Sequence, residues 1–292
     1  MKVLILGING MLGHKLFQVF GNRFETFGTC RGKAHNYFSG FPSRGSLIFE
    51  NVDVKDEQKV RAVIEDVRPD VVVNAIGIIK QIPTSRDIVT TLSVNSIFPH
   101  RLESLCDDLG IKVITFSTDC VFKGDKGNYS ETDIPDALDL YGQSKHWGEL
   151  DSKRHLTVRS SIIGHELGHP HSLVDWFLSN RGGKVKGFKN AIYTGFPTII
   201  FADIIGNLVE SPEISGIVHI SSDPISKFDL LEIINQEYDA GITIEPDEEF
   251  KIDRSLDSTR FRETNEFAPE PWPDMIATMH SDSGVYKKIG HS

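Results

Sequence analysis

The sequence has few cysteines, no excess of basic residues and no long apolar run. Its three cysteines lack regular spacing among 292 residues, which excludes a disulfide framework or a zinc knuckle and favours a reducing compartment. Lysine and arginine number 31 against 41 acidic residues, for a formal net charge of -10. Binding to a nucleic-acid backbone is therefore not expected to be the main task of this chain.

An apolar run opens the chain over residues 1–7, but it is too short for a signal peptide or a membrane span. It ends at a glycine turn, so we interpret it as a β-strand and expect a cytoplasmic protein without a membrane partner. The chain length suffices for one large domain or two closely joined ones.

Short β-branched runs alternate with segments of helical period through the first part of the chain. This alternation predicts an α/β fold with a doubly wound parallel sheet, a Rossmann domain over 1–160. The pattern then loosens, which indicates a smaller substrate domain over 161–292, with part of it near 190–222 returning to the first sheet. The predicted strands are 2–7, 24–30, 47–52, 71–76, 112–117 and 155–160, and the predicted helices are 11–20, 55–67, 85–109 and 139–154.

Three glycines follow the first strand with the spacing G-x-x-G-x-x-G. Glycines allow the backbone to approach a pyrophosphate, and the helix that follows presents free N–H groups and the positive end of its dipole. An ordinary strand-to-helix turn is the alternative, but the strand-turn-helix context favours dinucleotide binding. The candidate cofactor contacts in this turn are Gly7, Asn9, Gly10, Met11, Leu12 and Gly13.

The end of the second strand predicts which dinucleotide is preferred. Arg31 stands where a carboxylate would bind an unphosphorylated ribose, and a guanidinium suits a 2′-phosphate through bidentate hydrogen bonds. Lys33 adds a second positive charge. NADP(H) is therefore favoured and NAD(H) remains an option, while a solvated basic pair is the alternative reading.

Two later strand ends supply further candidate cofactor contacts. Asp53 and Val54 follow the third strand, where the carboxylate suits the adenine amino group, although it could equally cap a helix. Small residues near the end of the fourth strand suit a backbone that passes beneath a cofactor. The candidate cofactor contacts at this strand end are Ala75, Ile76 and Gly77.

Tyr141 and Lys145 are four positions apart in the sequence and fall on one face of a predicted helix. A phenol has an ordinary pKa of ~10, and a nearby ammonium and an oxidised nicotinamide stabilise its anion. The pair predicts acid/base chemistry because the glycine turn and the segment 117–119 precede it at suitable distances.

Together these motifs resemble the extended short-chain dehydrogenase/reductase superfamily, and within it the dTDP-4-dehydrorhamnose reductase group. The segments that carry the resemblance are 117–124, 129–133, 141–149, 158–161 and 195–198. The resemblance fades toward the C-terminus.

The resemblance implies catalytic roles for Thr118, Tyr141 and Lys145. Tyr141 would protonate a carbonyl oxygen that Thr118 also hydrogen-bonds, and Lys145 would hold the nicotinamide ribose and stabilise the tyrosinate. Asn95 matches a family position that orients the lysine and contacts the cofactor region. A satisfied polar residue within a helix is the alternative for Asn95.

The resemblance also implies substrate contacts from Ser117, Cys120, Phe122 and Arg254. Related dehydratases carry an acidic pair after the threonine, whereas here Asp119 is followed by Cys120. The missing carboxylate argues against elimination of water and favours carbonyl reduction or alcohol oxidation. Cys120 replaces an aromatic residue that is common in the reductases.

Two other segments suggest ligands less strongly. Histidines at 165, 169 and 171 could suggest a metal, but Gly168 and Pro170 break the helix that would align them, so we predict no metal site. The segment 182–190 reads as a turn carrying three lysines that could meet a diphosphate, with a solvated face as the alternative.

The sequence thus predicts an NADP(H)-dependent reductase of a nucleoside-diphosphate 4-keto sugar, acting in surface-polysaccharide precursor synthesis. One alternative is a nucleotide-sugar 4-epimerase with tightly bound NAD, and another is a non-catalytic NADP-binding regulatory subunit. The expected partner is a nucleoside-diphosphate sugar. A homodimer through helices 85–109 and 139–154 is an assembly that the superfamily commonly forms.

Overall fold

The protein is described by a computed structural model that covers residues 1–40, 47–80, 83–168 and 172–287. It contains two compact units. Unit 1 consists of Met1–Ser117, Leu138–Val158 and Ala202–Ile217, and unit 2 consists of Thr118–Ala137, Arg159–Phe201 and Val218–Ser292.

The strands are β1 (Lys2–Leu6), β2 (Glu25–Thr29), β3 (Leu47–Phe49), β4 (Val71–Asn74), β5 (Lys112–Thr118), β6 (Leu156–Ser160), β7 (Ile162–Ile163), β8 (Lys184–Tyr193), β9 (Phe196–Pro197), β10 (Gly216–His219), β11 (Ile225–Ser226) and β12 (Thr243–Asp253). The α-helices are α1 (Met11–Phe20), α2 (Glu57–Val67), α3 (Ile88–Leu92), α4 (Phe98–Leu109), α5 (Leu140–His146), α6 (Leu173–Leu178), α7 (Thr198–Glu210), α8 (Lys227–Glu237), α9 (Thr259–Thr264), α10 (Trp272–Asp282) and α11 (Gly284–Lys287). A π turn covers Ser93–Ile97.

A seven-stranded parallel sheet flanked by helices confirms the predicted Rossmann-type α/β fold. Its strand order is β10-β6-β5-β4-β1-β2-β3, so the chain winds outward from β1 in one direction and then from β4 in the other. The central strands are apolar on both faces, as parallel strands covered by helices require. Val3, Leu4 and Ile5 of β1 and Val72 and Val73 of β4 are fully buried.

The strand register brings the carboxyl ends of three strands level with one another. Leu6 of β1 is paired with Thr29 of β2 and with Asn74 of β4. The segments that leave these three strands therefore begin at the same edge of the sheet. The direction in which the chain adds strands reverses between β1 and β4. Ligands of open α/β sheets bind at such a switch point.

Two predicted helices differ from those of the structure. The helix predicted over 85–109 is divided into α3, the π turn and α4. The helix predicted over 139–154 ends at His146, because the chain turns to bring Gly148 against the backbone of Asn95. A Cβ atom at Gly148 would lie 1.9 Å from the Asn95 carbonyl oxygen.

The lysine-bearing segment predicted as a turn is instead strand β8. It pairs in parallel with the acidic strand β12, and its three lysines form ion pairs across the two strands. These pairs are Lys184 with Glu245 at 3.7 Å, Lys186 with Asp247 at 3.2 Å, and Lys189 with Glu248 at 3.3 Å. The turn prediction was wrong because the partner strand, distant in sequence, neutralises the lysines and completes the ladder.

Replacing Gly13 by alanine tests the close packing of the glycine turn. A Cβ atom at this position would lie 2.2 Å from the Gly7 carbonyl oxygen, so we expect Gly13→Ala to reduce the free energy of unfolding by about 3 kcal/mol. Urea denaturation followed by circular dichroism measures the loss. Gly32→Ala is the matched control, since no heavy atom of the described residues other than its chain neighbours lies within 4 Å of its Cβ position. Equal stability of the two variants would contradict the packing argument.

Candidate functional site

The glycine turn joins β1 to α1 with a backbone that glycine alone accommodates easily. Gly7 has a φ of +88°, and its N–H group and that of Ile8 both donate to the Thr29 carbonyl at 3.0 Å. Gly10 is the N-cap of α1 and carries no side chain to cap the helix. Residues 11–13 form the first helical turn, whose N–H groups therefore suit a phosphate.

Asn9 connects this turn to the segment that follows β2. Its amide nitrogen donates to the Lys33 carbonyl at 2.9 Å, and its amide oxygen accepts from the His35 N–H at 3.3 Å. The side chain therefore holds the basic segment beside the glycine turn.

Arg31 and Lys33 differ in their surroundings, although both side chains are exposed. The Lys33 ammonium is 2.6 Å from the Glu50 carboxylate, which also accepts from the Ala34 N–H at 2.9 Å. The hydrogen bond that Lys33 donates to the Glu50 carboxylate raises the pKa of Lys33. Sequence reasoning missed Glu50, which competes with any anion for Lys33.

Asp53 and Val54 lie just beyond β3. The Asp53 carboxylate accepts from the Lys55 N–H at 3.0 Å, whereas Asp56 is the N-cap of α2. Val54 packs on the core of unit 1. The helix-cap alternative for Asp53 is therefore wrong, and Asp53 organises the turn before the helix.

The segment after β4 lies directly against the glycine turn. The Ala75 N–H donates to the Leu6 carbonyl at 3.0 Å, and a Cβ atom at Gly7 would lie 2.6 Å from the Ile76 side chain. Gly77 is exposed. The structure thus brings together the cofactor candidates of β1 and β4.

Tyr141 and Lys145 lie on α5, whose N-cap Asp139 accepts from the Gly142 N–H at 3.0 Å. The Lys145 ammonium is 3.9 Å from the position that a Cβ atom on Gly77 would occupy. Burial lowers the pKa of Lys145 to about 8, and the Glu149 carboxylate partly opposes this shift. At neutral pH the amine is therefore mainly an ammonium.

The Tyr141 ring is half-buried and has a cationic neighbour. The Lys80 ammonium lies 5.5 Å from the centre of that ring and 2.8 Å from the Asp139 carboxylate. Asp139 thus both caps α5 and orients a cation over the tyrosine.

Asn95 lies in the π turn and joins three chain segments. Its amide oxygen accepts from the Ile78 N–H at 2.8 Å, and its amide nitrogen donates to the Ile78 carbonyl at 2.9 Å and to the Ser144 hydroxyl at 3.0 Å. The Ser96 hydroxyl donates to the Ser144 carbonyl at 2.8 Å. These bonds hold α5 against the π turn, a type of distortion that is frequent at functional sites.

Thr118, Cys120, Phe122 and Arg254 come together within unit 2. The Thr118 hydroxyl donates to the Asp119 carboxylate at 3.0 Å. The Arg254 guanidinium donates to the Phe122 carbonyl at 2.8 Å and lies 3.8 Å from the Cys120 sulfur.

Two predicted substrate contacts, Ser117 and Phe122, are buried and have partners within the protein. The Phe122 ring is fully buried and stacks on Tyr129 with their centres 4.2 Å apart. The Ser117 hydroxyl, predicted to contact substrate, donates at 2.6 Å to the buried Glu149 carboxylate. Sequence reasoning missed Glu149, although its position four residues after Lys145 was a signal.

His165 is held by protein groups. Its ring nitrogens lie 2.6 Å from the Asp175 carboxylate and 3.0 Å from the Tyr238 hydroxyl. His169 and His171, the other histidines of this segment, fall outside the described residues. These two bonds fix the place of His165 in the fold.

Another group of potential metal ligands consists of Glu103, Asp107 and His155. The Nδ1 atom of His155 accepts the Val113 N–H at 3.0 Å, so in the neutral ring Nε2 carries the proton and cannot ligate a metal. The Asp107 carboxylate lies 3.3 Å from that nitrogen. The arrangement suits a neutral imidazole facing a carboxylate better than a metal site.

Comparison with known proteins identifies the family. The profile of the RmlD substrate binding domain matches residues 1–282. The chain belongs to this family.

Relatives of this RmlD family member include proteins of different roles. It is 29% identical over 156 residues to methionine adenosyltransferase 2 subunit beta of Danio rerio, covering 53% of this chain and 44% of that protein. It is 28% identical over 175 residues to a dTDP-4-dehydrorhamnose reductase of Aggregatibacter actinomycetemcomitans, covering 58% and 53%. The chain therefore spans about half the length of these relatives.

A solved structure extends the similarity in fold over nearly the whole chain. The dTDP-4-dehydrorhamnose reductase of Bacillus anthracis, in complex with NADP, superposes with a TM-score of 0.77 at 20% identity, covering 97% of this chain and 99% of that one. Among the described residues of this RmlD family member, no helix combines the length and apolar character needed to cross a membrane.

Asn95→Ala tests whether this side chain holds the RmlD-type site together. Asn95 is 1% exposed, and the substitution leaves the Ile78 N–H and carbonyl without their partners, so we expect a loss of about 3 kcal/mol in the free energy of unfolding. The urea midpoint measures this loss. Asn22→Ala, at an exposed position, should stay within about 0.5 kcal/mol of the parent protein, and a similarly small effect at Asn95 would refute the assignment.

Proposed function

We propose that this protein is an NADP(H)-dependent reductase of a nucleoside-diphosphate 4-keto sugar, acting in surface-polysaccharide precursor synthesis. The Rossmann domain, residues 1–160, would bind the cofactor, and 161–292 would mainly bind the sugar nucleotide. The observation that carries the proposal is the position of Lys145, whose ammonium lies beside Gly77 next to the glycine turn. Family membership and the NADP-bound relative of the same fold support it.

The residues of the glycine turn fit a dinucleotide. Side chains at Gly7 or Gly13 would collide with neighbouring protein atoms, and the first turn of α1 has no side-chain cap. The turn therefore offers a flat backbone and free N–H groups to a pyrophosphate. NADP(H) would be preferred through Arg31, with NAD(H) as an option.

Reduction of a carbonyl requires a hydride at carbon and a proton at oxygen, and the bound reduced nicotinamide would supply the hydride. Tyr141 would release its phenolic proton to the oxygen, and the Thr118 hydroxyl would donate a hydrogen bond to the same atom. Lys145, charged below a pKa of about 8, would bind the ribose hydroxyls and stabilise the tyrosinate.

The remaining cofactor contacts would come from Asn9, Asp53, Val54, Ala75 and Ile76. The sugar nucleotide would meet Cys120 and Arg254, which lie side by side in unit 2. We also propose a cytoplasmic location, which the few cysteines favour, and a homodimer, which the superfamily resemblance favours.

A substrate screen tests the proposal directly. Purified protein would be mixed with nucleoside-diphosphate 4-keto sugars and either NADPH or NADH, and the loss of near-ultraviolet absorbance of the reduced cofactor would be followed. We expect oxidation of NADPH with at least one sugar. Protein that binds neither nucleotide, with or without sugars, would rule the reductase out.

Tyr141→Phe separates proton transfer from binding. The substitution removes the phenolic proton and little volume, so turnover should fall at least about 100-fold while cofactor affinity is retained. Initial rates and fluorescence titration with NADPH measure the two effects. Tyr193→Phe is the matched control, because the Tyr193 hydroxyl has no hydrogen-bond partner among the described residues; an active Tyr141→Phe protein would contradict the assigned role.

Arg31→Ala tests cofactor selection. Loss of a guanidinium from a 2′-phosphate should weaken NADPH binding by roughly 10–100-fold and leave NADH binding nearly unchanged. Lys33→Ala should weaken NADPH binding less, because the Lys33 ammonium already forms an ion pair with Glu50 at 2.6 Å. Parallel titrations with NADPH and NADH measure the two affinities. An equal loss of affinity for both nucleotides would show that Arg31 does not select between them.

A second candidate function is that of a cofactor-binding regulatory subunit, favoured by the similarity to methionine adenosyltransferase 2 subunit beta. In that case the effect on a partner enzyme should survive Tyr141→Phe, because regulation needs binding and not proton transfer.

A further inference from the structure

Glu149 is a buried carboxylate at the end of the segment that follows α5. Its side chain is 2% exposed, and burial of a carboxylate is costly unless strong donors compensate for the lost water. Two donors meet it. The Ser117 hydroxyl lies 2.6 Å from Oε1, and the His146 Nδ1 lies 2.9 Å from Oε2.

The two donors flank residues that the proposed mechanism uses. Ser117 directly precedes Thr118 in β5, and His146 directly follows Lys145 at the end of α5. The Glu149 carboxylate therefore joins the end of a strand to the end of a helix through one short bond to each. A change in either bond would shift the adjacent catalytic candidate through the rigid peptide geometry.

The charges around Lys145 give Glu149 a second effect. Burial disfavours the ammonium, and the Glu149 charge favours it. On the neighbouring segments, Lys80 is paired with Asp139 and lies over the Tyr141 ring, and His146 shares the Glu149 carboxylate. The Glu149 charge thus acts to keep Lys145 protonated.

We propose that Glu149 is a positioning residue of the reductase site, holding the ends of β5 and α5 together and keeping Lys145 charged. The proposal rests on the function proposed above, since Lys145 must be the group that binds ribose and stabilises the tyrosinate. A purely structural Glu149 would satisfy the Ser117 hydroxyl equally well as a neutral amide. Beyond its pair with His146, its negative charge matters only if it acts on Lys145.

Glu149→Gln tests the charge while preserving shape and an acceptor for Ser117. Competitive acylation of the apo protein across a pH series, read by mass spectrometry of the peptide containing residue 145, measures the midpoint at which the Lys145 amine becomes reactive. The ammonium loses a favourable negative neighbour, so the midpoint should fall by about one pH unit from the parent value. Glu149→Asp retains the charge and should largely restore it, and Glu65→Gln, an exposed change of the same type, should have no effect.

An unchanged Lys145 midpoint in Glu149→Gln would overturn the proposal. If Glu149→Gln fails to fold, hydrogen exchange of Glu149→Asp provides the test. The shorter side chain cannot reach both donors, so the amides of residues 144–148 should exchange faster than in the parent protein. Unchanged exchange would also overturn the proposal. Failure of the proposed function is distinguishable, because a parent protein that binds no NADPH would defeat the reductase and leave the labelling result intact.

Discussion

The approach of Gly148 to the backbone of Asn95 is the contact on which the candidate site depends. No residue with a Cβ atom fits there without movement of one of the two segments. The contact ends α5 and brings Ser144 within hydrogen-bond distance of Asn95. The contact thereby sets the position of Lys145, which lies two residues before Trp147, the C-cap of α5. The Lys145 ammonium lies beside Gly77. Because Gly148 has no side chain, its segment can contact the backbone of Asn95, and because Gly77 has none, the Lys145 ammonium can lie beside it.

Buried polar groups reinforce this packing because each has a specific partner. The Asn95 amide satisfies both main-chain groups of Ile78, so the segment after β4 cannot shift without leaving them unpaired. The Glu149 carboxylate does the same for Ser117 and His146. Networks of this kind specify one arrangement, since partial satisfaction costs more than an apolar contact would.

The fold alone leaves the chemistry open, because the same Rossmann-type architecture serves proteins of different roles. The relatives of this chain include both a dTDP-4-dehydrorhamnose reductase and the beta subunit of a methionine adenosyltransferase. The proposed reductase activity rests on this chain's own side chains: a phenol and an ammonium occur on one short helix, and the Arg254 guanidinium lies beside Cys120.

The parts of this protein that depend on local pattern were predictable from the sequence. Alternating apolar runs indicated the parallel sheet, the glycine spacing indicated the turn before α1, and helix α1 has the predicted bounds of 11–20. The spacing of Tyr141 and Lys145 indicated a shared helical face, because helical geometry depends only on neighbours along the chain.

Tertiary contacts decided the rest. Pairing with the acidic strand β12 makes the lysine-bearing segment a β-strand, and Glu50 forms an ion pair with Lys33. Asn95 shortened the helix that begins at Leu140, and Glu149 turned the Ser117 hydroxyl inward. In each case the deciding group lies far away in the sequence or beyond a turn, so its charge or volume acts only after folding has brought the segments together.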